Sequence, residues 1–150
     1  MKSFPELTSG PVEFHNTSGI SIPIELSLIE KAVNFIEKEQ SVQFSHLEVV
    51  YVDENEIVSI NKEYLERGYV TDIISFRYDE DESDQQIEGT LFCCAPRISE
   101  QSNELGTNKK EEFLRIIIHG LLHLCGYDDD TEDSKQEMTR LENRYLSVLG

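Results

Sequence analysis

The most informative stretch of the chain is His119-Gly120-Leu121-Leu122-His123-Leu124-Cys125-Gly126-Tyr127-Asp128-Asp129-Asp130. Its first seven residues complete a largely apolar segment from Lys109 to Cys125, which predicts one long helix. Gly126 comes directly after this helix, and glycine is common just past a helix end. Residues four apart advance about 400° around a helix, so His119 and His123 lie about 40° apart, one turn above the other. The stretch therefore predicts two imidazoles side by side on one helix face.

Two imidazoles so placed can chelate one metal ion. Zinc is the ion that neutral imidazole usually binds. A catalytic zinc takes three protein ligands and keeps a fourth position open. Gly126 lets the chain fold back, so that Asp128, Asp129 or Asp130 can supply the third ligand. The alternative is that both histidines are structural, but imidazoles on an otherwise apolar helix need polar partners. The spacing favours a metal site.

The residue after the first histidine separates this pattern from the protease signature H-E-x-x-H, in which glutamate is the general base. Here that residue is Gly120. We therefore expect the chain to lack the peptidase base, and room to open beside the metal for a bulky group.

Helical and strand patterns alternate along the rest of the chain. Helices are predicted from about Ser27 (as N-cap) through Ile36, from a capping box of Asp53 and Glu56 to near Gly68, and within 96–106. A last helix starts near Thr131 and carries one apolar stripe, made of Met138, Leu141, Tyr145 and Leu149. Strands are predicted at 12–15, 47–52, 71–78 and 89–94, and an acidic hairpin loop at 79–88.

This alternation predicts an α+β fold in a single domain over residues 1–150, in which a small mixed β-sheet packs with helices around a zincin-like, central metal-binding helix. Residues 1–20 are expected to form a loosely ordered lead with one short strand. A chain of 150 residues is long enough for one ordinary core.

The composition is strongly acidic. Lys and Arg number 13 against 30 Asp and Glu, a formal charge of −17. Taken alone, this argues against nucleic acid or an anionic membrane as partner, because phosphates would be repelled. There is no apolar run near about 18 residues and no signal-peptide pattern, so we expect a cytoplasmic protein with no membrane association.

The cysteines and the two remaining histidines carry no motif. Cys93, Cys94 and Cys125 are odd in number and form no C-x-x-C pair, which is typical of reduced core thiols. His15 and His46 fall in strand or loop context without evident partners, and we interpret both as structural or surface residues.

Four segments together resemble a known family. Residues 119–128 match its hallmark H-G-x-L-H-L-x-G-Y-D at every specified position. Residues 61–64 resemble its N-x-x-Y helix end, residues 71–76 its T-[DN]-[VI]-[LI]-S-F strand, and residues 88–93 fall where the family has a G-D-[IV] strand. Over roughly residues 45–150 the chain resembles the YbeY family, bacterial single-domain metal-dependent endoribonucleases.

The resemblance implies a single-strand-specific, metal-dependent endoribonuclease in ribosomal RNA processing, maturation and ribosome biogenesis. It implies one zinc ion held by His119, His123 and Asp129, and an RNA precursor as partner in the context of the ribosome. No side chain can be named as the general base, and the nucleophile is either water or a ribose 2′-hydroxyl. The oligomeric state does not follow from the sequence.

The chain departs from the family pattern at two positions. Asp129 stands where the hallmark ends in histidine; a carboxylate is a competent zinc ligand, although its charge makes the ion a weaker Lewis acid. Asp130 is then expected to cap the last helix. Leu65 stands where many relatives carry arginine, so Arg67 or Arg97 would have to supply the lost charge.

Two other functions compete with this one. The first is metal-dependent hydrolysis of another bond, peptide or amide, against which Gly120 counts. The second is a non-catalytic, zinc-containing ribosome assembly factor. A structural zinc is usually closed by four ligands, often cysteines, whereas this pattern offers three.

The distribution of charge bears on RNA. Residues 79–88 hold six acids and residues 128–142 hold seven, whereas Lys109, Lys110 and Arg115 make the approach to the metal locally positive. These bases are either a phosphate-facing side or merely a solvated helix start. The acidity predicts weak affinity for free RNA and delivery of the substrate by a partner such as the ribosome.

Overall fold

The computed structural model describes residues 12–78 and 86–150, and within these ranges the fold is α+β, as predicted. Its elements, in chain order, are β1 (Val12–Asn16), α1 (Leu26–Gln40), β2 (Gln43–Val52), α2 (Glu54–Leu65), β3 (Ile73–Arg77), β4 (Gln86–Cys94), α3 (Ala95–Leu105), α4 (Lys109–Leu124) and α5 (Glu132–Leu149). None of the helices in these two ranges is long and apolar enough to cross a membrane.

The four strands form one mixed sheet in the order β1-β2-β4-β3. β2 pairs in parallel with both β1 and β4, while β3 and β4 are antiparallel. The parallel pairing of β1 and β2 requires a crossover, which α1 provides. The predicted mixed sheet is confirmed, and its central strands β2 and β4 direct alternate apolar side chains into the main core.

α4 is the central helix and packs on one face of this sheet. Ile117, Ile118 and Leu121 are fully buried there. At Gly120 a Cβ atom would lie 2.6 Å from Ile73 Cδ1 and 2.9 Å from Leu91 Cδ2. The missing side chain therefore lets the helix approach the strands. The expectation that Gly120 opens room beside the metal was wrong, because its Cα faces the sheet.

Helix ends follow local hydrogen bonds. The capping box of Asp53 and Glu56 is present as predicted. α1 starts one residue before Ser27, because Glu25 O already accepts from the backbone of Leu28 and Ile29. Asp130 does not cap α5: Thr131 does, in a capping box with Ser134.

β4 begins earlier than predicted, because residues 86–88, which the sequence assigned to the acidic loop, belong to this strand. Residues 79–85 lie outside the described residues, as does the predicted lead up to residue 11. The three thiols are free, with Cys93 and Cys94 buried. Burial raises the pKa of Cys125 to about 12, which keeps it protonated at neutral pH.

Candidate metal centre

The two histidines of α4 point at a common position. Their Nε2 atoms lie 3.0 Å apart, and the rings meet nearly edge to face with centroids 4.5 Å apart. Both side chains are about one quarter exposed, His119 at 22% and His123 at 27%. The helix thus presents two ligand atoms at the edge of the core, where an ion could reach them from solvent.

Of the three consecutive aspartates, the structure brings Asp129 to the histidines. Its Oδ2 lies 3.6 Å from His119 Nε2 and 3.9 Å from His123 Nε2. Gly126, at φ +107°, turns the chain back after α4. Asp128 instead accepts from the backbone N–H of Asp130, which stabilises the turn itself. The turn therefore gives the first and second aspartates different surroundings.

The three ligand atoms fit a divalent ion. Zinc bonds of about 2.0–2.2 Å in tetrahedral geometry place neighbouring ligand atoms about 3.3–3.5 Å apart. The distances here, 3.0, 3.6 and 3.9 Å, bracket that value. A small rotation of Asp129, whose side chain is 42% exposed, would shorten its distances to the two imidazole nitrogens toward that value. The donors also suit zinc, two imidazole nitrogens and one carboxylate oxygen.

A second layer of groups orients both rings. His123 Nδ1 lies 2.9 Å from the carbonyl oxygen of Tyr127, and His119 Nδ1 lies 2.6 Å from Glu142 Oε2. A carbonyl or carboxylate oxygen can only accept, so each Nδ1 carries the proton and donates it. Each Nε2 is then left with a lone pair for a metal, which is the tautomer that ligand histidines need.

Glu142 is itself held in place. It is 6% exposed on α5, and its second oxygen accepts from Arg115 Nη1 at 3.0 Å. Arg115 also donates to Asn143. A buried carboxylate paired on both sides has little freedom to rotate, so the ring of His119 is fixed as well.

These acids also set the electrostatics of His119. Burial by itself lowers the pKa of the imidazole, but the hydrogen bond and charge of Glu142 outweigh it. Asp129 and Asp72 act in the same direction, and the resulting pKa lies above the ordinary value. The surroundings therefore favour positive charge at this position, carried by a proton or by a metal cation.

The turn that carries Asp129 is anchored to α1. Tyr127 lies between the glycine of the turn and the aspartates, and its hydroxyl donates to Gln40 Oε1 at 2.9 Å. The backbone N–H of Tyr127 donates to Leu122 O. These bonds hold the carbonyl that orients His123, which explains what the tyrosine of the hallmark does in this chain.

The three ligand candidates open into a cleft of about 500 Å³ between α4, β3 and the connection after α2. Besides them, its lining includes Asn61, Leu65, Arg67, Asp72 and Arg77. Asn61 is buried and donates to Tyr69 O at 3.0 Å, which shapes the connection. The cleft is open and polar, with two guanidinium groups in its wall.

The arginines expected to replace the one missing at Leu65 differ in position. Arg67 lines the cleft, two residues beyond Leu65. Arg97 forms ion pairs with Glu100 and Glu104 on α3 and is not among the cleft residues. Arg77, which sequence reasoning did not single out, lines the cleft and donates to Leu124 O at 3.1 Å.

The bases before the histidines have mainly structural contacts. Lys109 Nζ binds Ser99 O and Asn103 Oδ1 near the end of α3. Arg115 holds Glu142 and Asn143. These contacts join α4 to α3 and α5.

Sequence reasoning missed Glu142. A signal was present, since position 142 falls on the buried stripe of α5 between Leu141 and Tyr145. A carboxylate at such a position needs a partner. The pattern within α5 does not predict which residue is that partner, because His119 lies on another helix.

The chain is similar to known proteins in sequence. The family model for "Endoribonuclease YbeY" matches residues 14–150. Two Staphylococcus aureus proteins named Endoribonuclease YbeY, from strains bovine RF122 / ET3-1 and JH9, are 32% and 31% identical to the chain over 148 residues, 93% of this chain and 96% of theirs.

The fold is also shared with a solved structure. The solution structure of TM1509 from Thermotoga maritima superposes with a TM-score of 0.64 at 22% identity, over 93% of this chain and 89% of that one. With a family model that spans nearly the whole chain and relatives above 30% identity, the protein belongs to the endoribonuclease YbeY family.

Proposed function

We propose that this chain is a metal-dependent endoribonuclease that cleaves single-stranded ribosomal RNA precursors during ribosome biogenesis in the cytoplasm. The observation that carries the proposal is the convergence of His119, His123 and Asp129 on one position at an open cleft. Family membership supports endoribonuclease activity. The resemblance to the family supports the ribosomal setting.

The proposed cofactor is one zinc ion, held by His119 Nε2, His123 Nε2 and an oxygen of Asp129. When bound, a divalent ion supplies Lewis-acid stabilisation of negative charge on a phosphodiester. The protein's own part is orientation. Glu142 and Tyr127 O hold the two rings with Nε2 toward the cleft, and Asp129 balances part of the cation's charge.

The walls of the cleft suit a phosphodiester chain. Arg67 and Arg77 place guanidinium groups around it, and guanidinium is the side chain best matched to phosphate oxygens. We propose that Arg67 binds a phosphate of the substrate at the mouth, in place of the arginine that is absent at Leu65. We propose that a flexible single strand, rather than a duplex, enters this open cleft.

The competing functions find less support. Peptide hydrolysis by the protease mechanism needs a glutamate where the chain has Gly120, and that position is packed against Ile73 and Leu91. A structural zinc would be closed by four protein ligands. The candidate ligands here number three among the described residues and face a cleft.

Metal-dependent cleavage is the first prediction. The purified protein should cleave a single-stranded RNA, lose this activity with a chelator, and regain it with Zn²⁺. His119→Ala and His123→Ala should each lower zinc content and cleavage together, because each removes one of three ligands. Asp130→Ala, a neighbouring acid that does not face the histidines, is the matched control and should retain both.

Three results would count against the proposal: equal cleavage by the histidine variants, equal cleavage after chelation, or hydrolysis of a peptide library in preference to RNA. A duplex of the same sequence, offered beside the single strand, tests the proposed strand preference.

A further inference from the structure

A second group of metal-ligating side chains lies on the face of the sheet opposite α4. α2 covers part of this face with an apolar cluster that includes Val52, Ile57 and Cys94. The neighbouring part, on β1 and β2, carries Glu13, His15, His46 and Glu48. Both strands alternate, and these four residues occupy the outward positions.

Three of the four converge on one point. His15 Nε2 lies 3.5 Å from Glu13 Oε1 and 3.6 Å from Glu48 Oε2. One ligand atom from each of the three residues falls within 4.8 Å of the other two. For ligand atoms around one zinc ion the spacing is about 3.3–3.5 Å. The imidazole is therefore already placed between the two carboxylates at nearly the spacing that a shared ion requires.

The oxygens that do not face this point have partners of their own. Glu13 Oε2 lies 3.2 Å from His46 Nε2, and Glu48 Oε1 accepts from Thr90 Oγ1 at 3.1 Å. Thr90 is 2% exposed on β4, so its hydroxyl is fixed by packing. Each carboxylate is thus oriented by a neighbour and turns its other oxygen inward, as second-layer groups do at metal sites.

The register of β1 and β2 places two carboxylates side by side, and their repulsion lowers the stability of the sheet unless a cation lies between them. Glu13 pairs directly with Glu48 across β1 and β2. Like charges opposite each other on adjacent strands destabilise a sheet, and β1 is an edge strand held by β2 alone. A divalent ion between them would offset the repulsion of both carboxylates and tie β1 to β2.

We propose that Glu13, His15 and Glu48 form a second divalent-cation site, which takes Zn²⁺, with His46 and Thr90 as its orienting groups. One imidazole and two carboxylates are a nitrogen and oxygen set that suits zinc. The three side chains are between 35% and 52% exposed, so the remaining coordination positions face solvent. The site is independent of the centre on α4 and of the function proposed for it.

The test measures zinc stoichiometry in untagged protein. The double variant His119→Ala/His123→Ala, stripped with a chelator and dialysed, is titrated with Zn²⁺ alone at pH 7.5 by calorimetry. One equivalent should bind. Adding Glu13→Gln and Glu48→Gln should abolish it, whereas adding Glu63→Gln, which removes the charge of an exposed acid on α2, should leave it unchanged.

A second readout locates the ion. Co²⁺ added to the same double variant should broaden amide NMR signals of β1 and β2 first. Zn²⁺ should raise its unfolding temperature, since an ion that binds only the folded state stabilises it, and should do so less after Glu13→Gln. The NMR spectrum of each variant also checks that it is folded.

The proposal is overturned by no binding in the double variant, by binding that survives Glu13→Gln/Glu48→Gln, or by broadening spread over the acidic surface, which would indicate an adventitious ion only. The chain without substitutions tests the α4 centre separately. It should bind two equivalents of Zn²⁺, and binding of only one would mean that the α4 centre does not take zinc.

Discussion

At His119 the orientation of a ligand ring depends on a carboxylate 23 residues further along the chain. Glu142 Oε2 accepts a hydrogen bond from His119 Nδ1 at 2.6 Å, and its other oxygen accepts one from Arg115. A neutral acceptor could keep the hydrogen bond, but it would not raise the electron density of the imidazole to the same extent. If His119 binds the proposed metal, the charge on Glu142 is expected to contribute to metal affinity as well as to ring orientation.

Glu142→Gln should weaken zinc binding at the α4 centre by about tenfold, at the lower end of losses for such outer groups, about 10–100-fold. The amide retains an acceptor for Nδ1 but loses the charge. Competition with a chromogenic chelator measures the affinity. Glu137→Gln is the control, because Glu137 is a half-exposed acid on the same helix that pairs with Arg140 instead of a histidine. Equal affinity in both variants would mean that Glu142 only packs.

Arg67 has the position from which to bind a phosphate, whereas Arg97 is engaged on α3. Arg67→Ala should lower kcat/KM for RNA by at least about tenfold, since a hydrogen bond to a charged group contributes about 1.5–3 kcal/mol. Arg97→Ala removes the same charge away from the cleft and should leave kcat/KM nearly unchanged. Steady-state kinetics on a labelled single strand compare them, and the reverse ranking would contradict this role.

The closeness of α4 to the sheet determines where the proposed metal ligands on this helix lie. Gly120 sits on the buried side of the helix and the histidines on the side that reaches the cleft. Since they share one rigid helix, any shift that relieves a clash at position 120 also moves His119. The glycine next to the first histidine thus acts through packing.

Gly120→Ala should lower the free energy of unfolding by about 1 kcal/mol. Overpacking costs about 1–3 kcal/mol, and the better helix propensity of alanine returns up to about 1 kcal/mol. Denaturant unfolding measures the loss. Ile73→Val removes the Cδ1 atom that the new methyl would meet at 2.6 Å, so the double variant should lose less than the two single losses combined. Strict additivity would show that the contact is not the cause.

The whole molecule has a formal charge of −17, and among the described residues the buried charged side chains, Glu112 and Glu142, are both acidic. Glu112 is 4% exposed, near Asp72 and Glu142. Burial raises the pKa of its carboxyl, and this outweighs the opposing charge of Arg115. Because the folded pKa lies above the unfolded one, ionisation of Glu112 costs stability. The cost is absent below the unfolded pKa and is complete above the folded pKa.

Glu112→Gln should therefore be more stable than the unmodified chain at pH 7.5, and the difference should shrink as the pH falls toward the ordinary range for glutamate. Thermal unfolding across pH measures this. Glu111→Gln, at the exposed neighbouring position, should change stability by less than about 0.5 kcal/mol at either pH. A difference that grows on acidification would show the opposite sign and contradict the assignment.

Local patterns in the sequence were enough for the α+β class, for the helix that carries His119 and His123, and for the capping box at Asp53. Each depends on residues within a few positions of one another, where helical periodicity and backbone hydrogen bonds act. The hallmark at 119–128 likewise identified the family, because its residues are contiguous.

Contacts between distant segments decided the rest. The pairing of β2 with β1 and β4, the packing of Gly120 on Ile73, and the hold of Glu142 on His119 join residues far apart in the chain. The same holds for His15 and His46, which the sequence left without partners and which the register of β1 and β2 places beside Glu13 and Glu48. Such contacts depend on how the helices and strands pack, and no periodicity within one element encodes them.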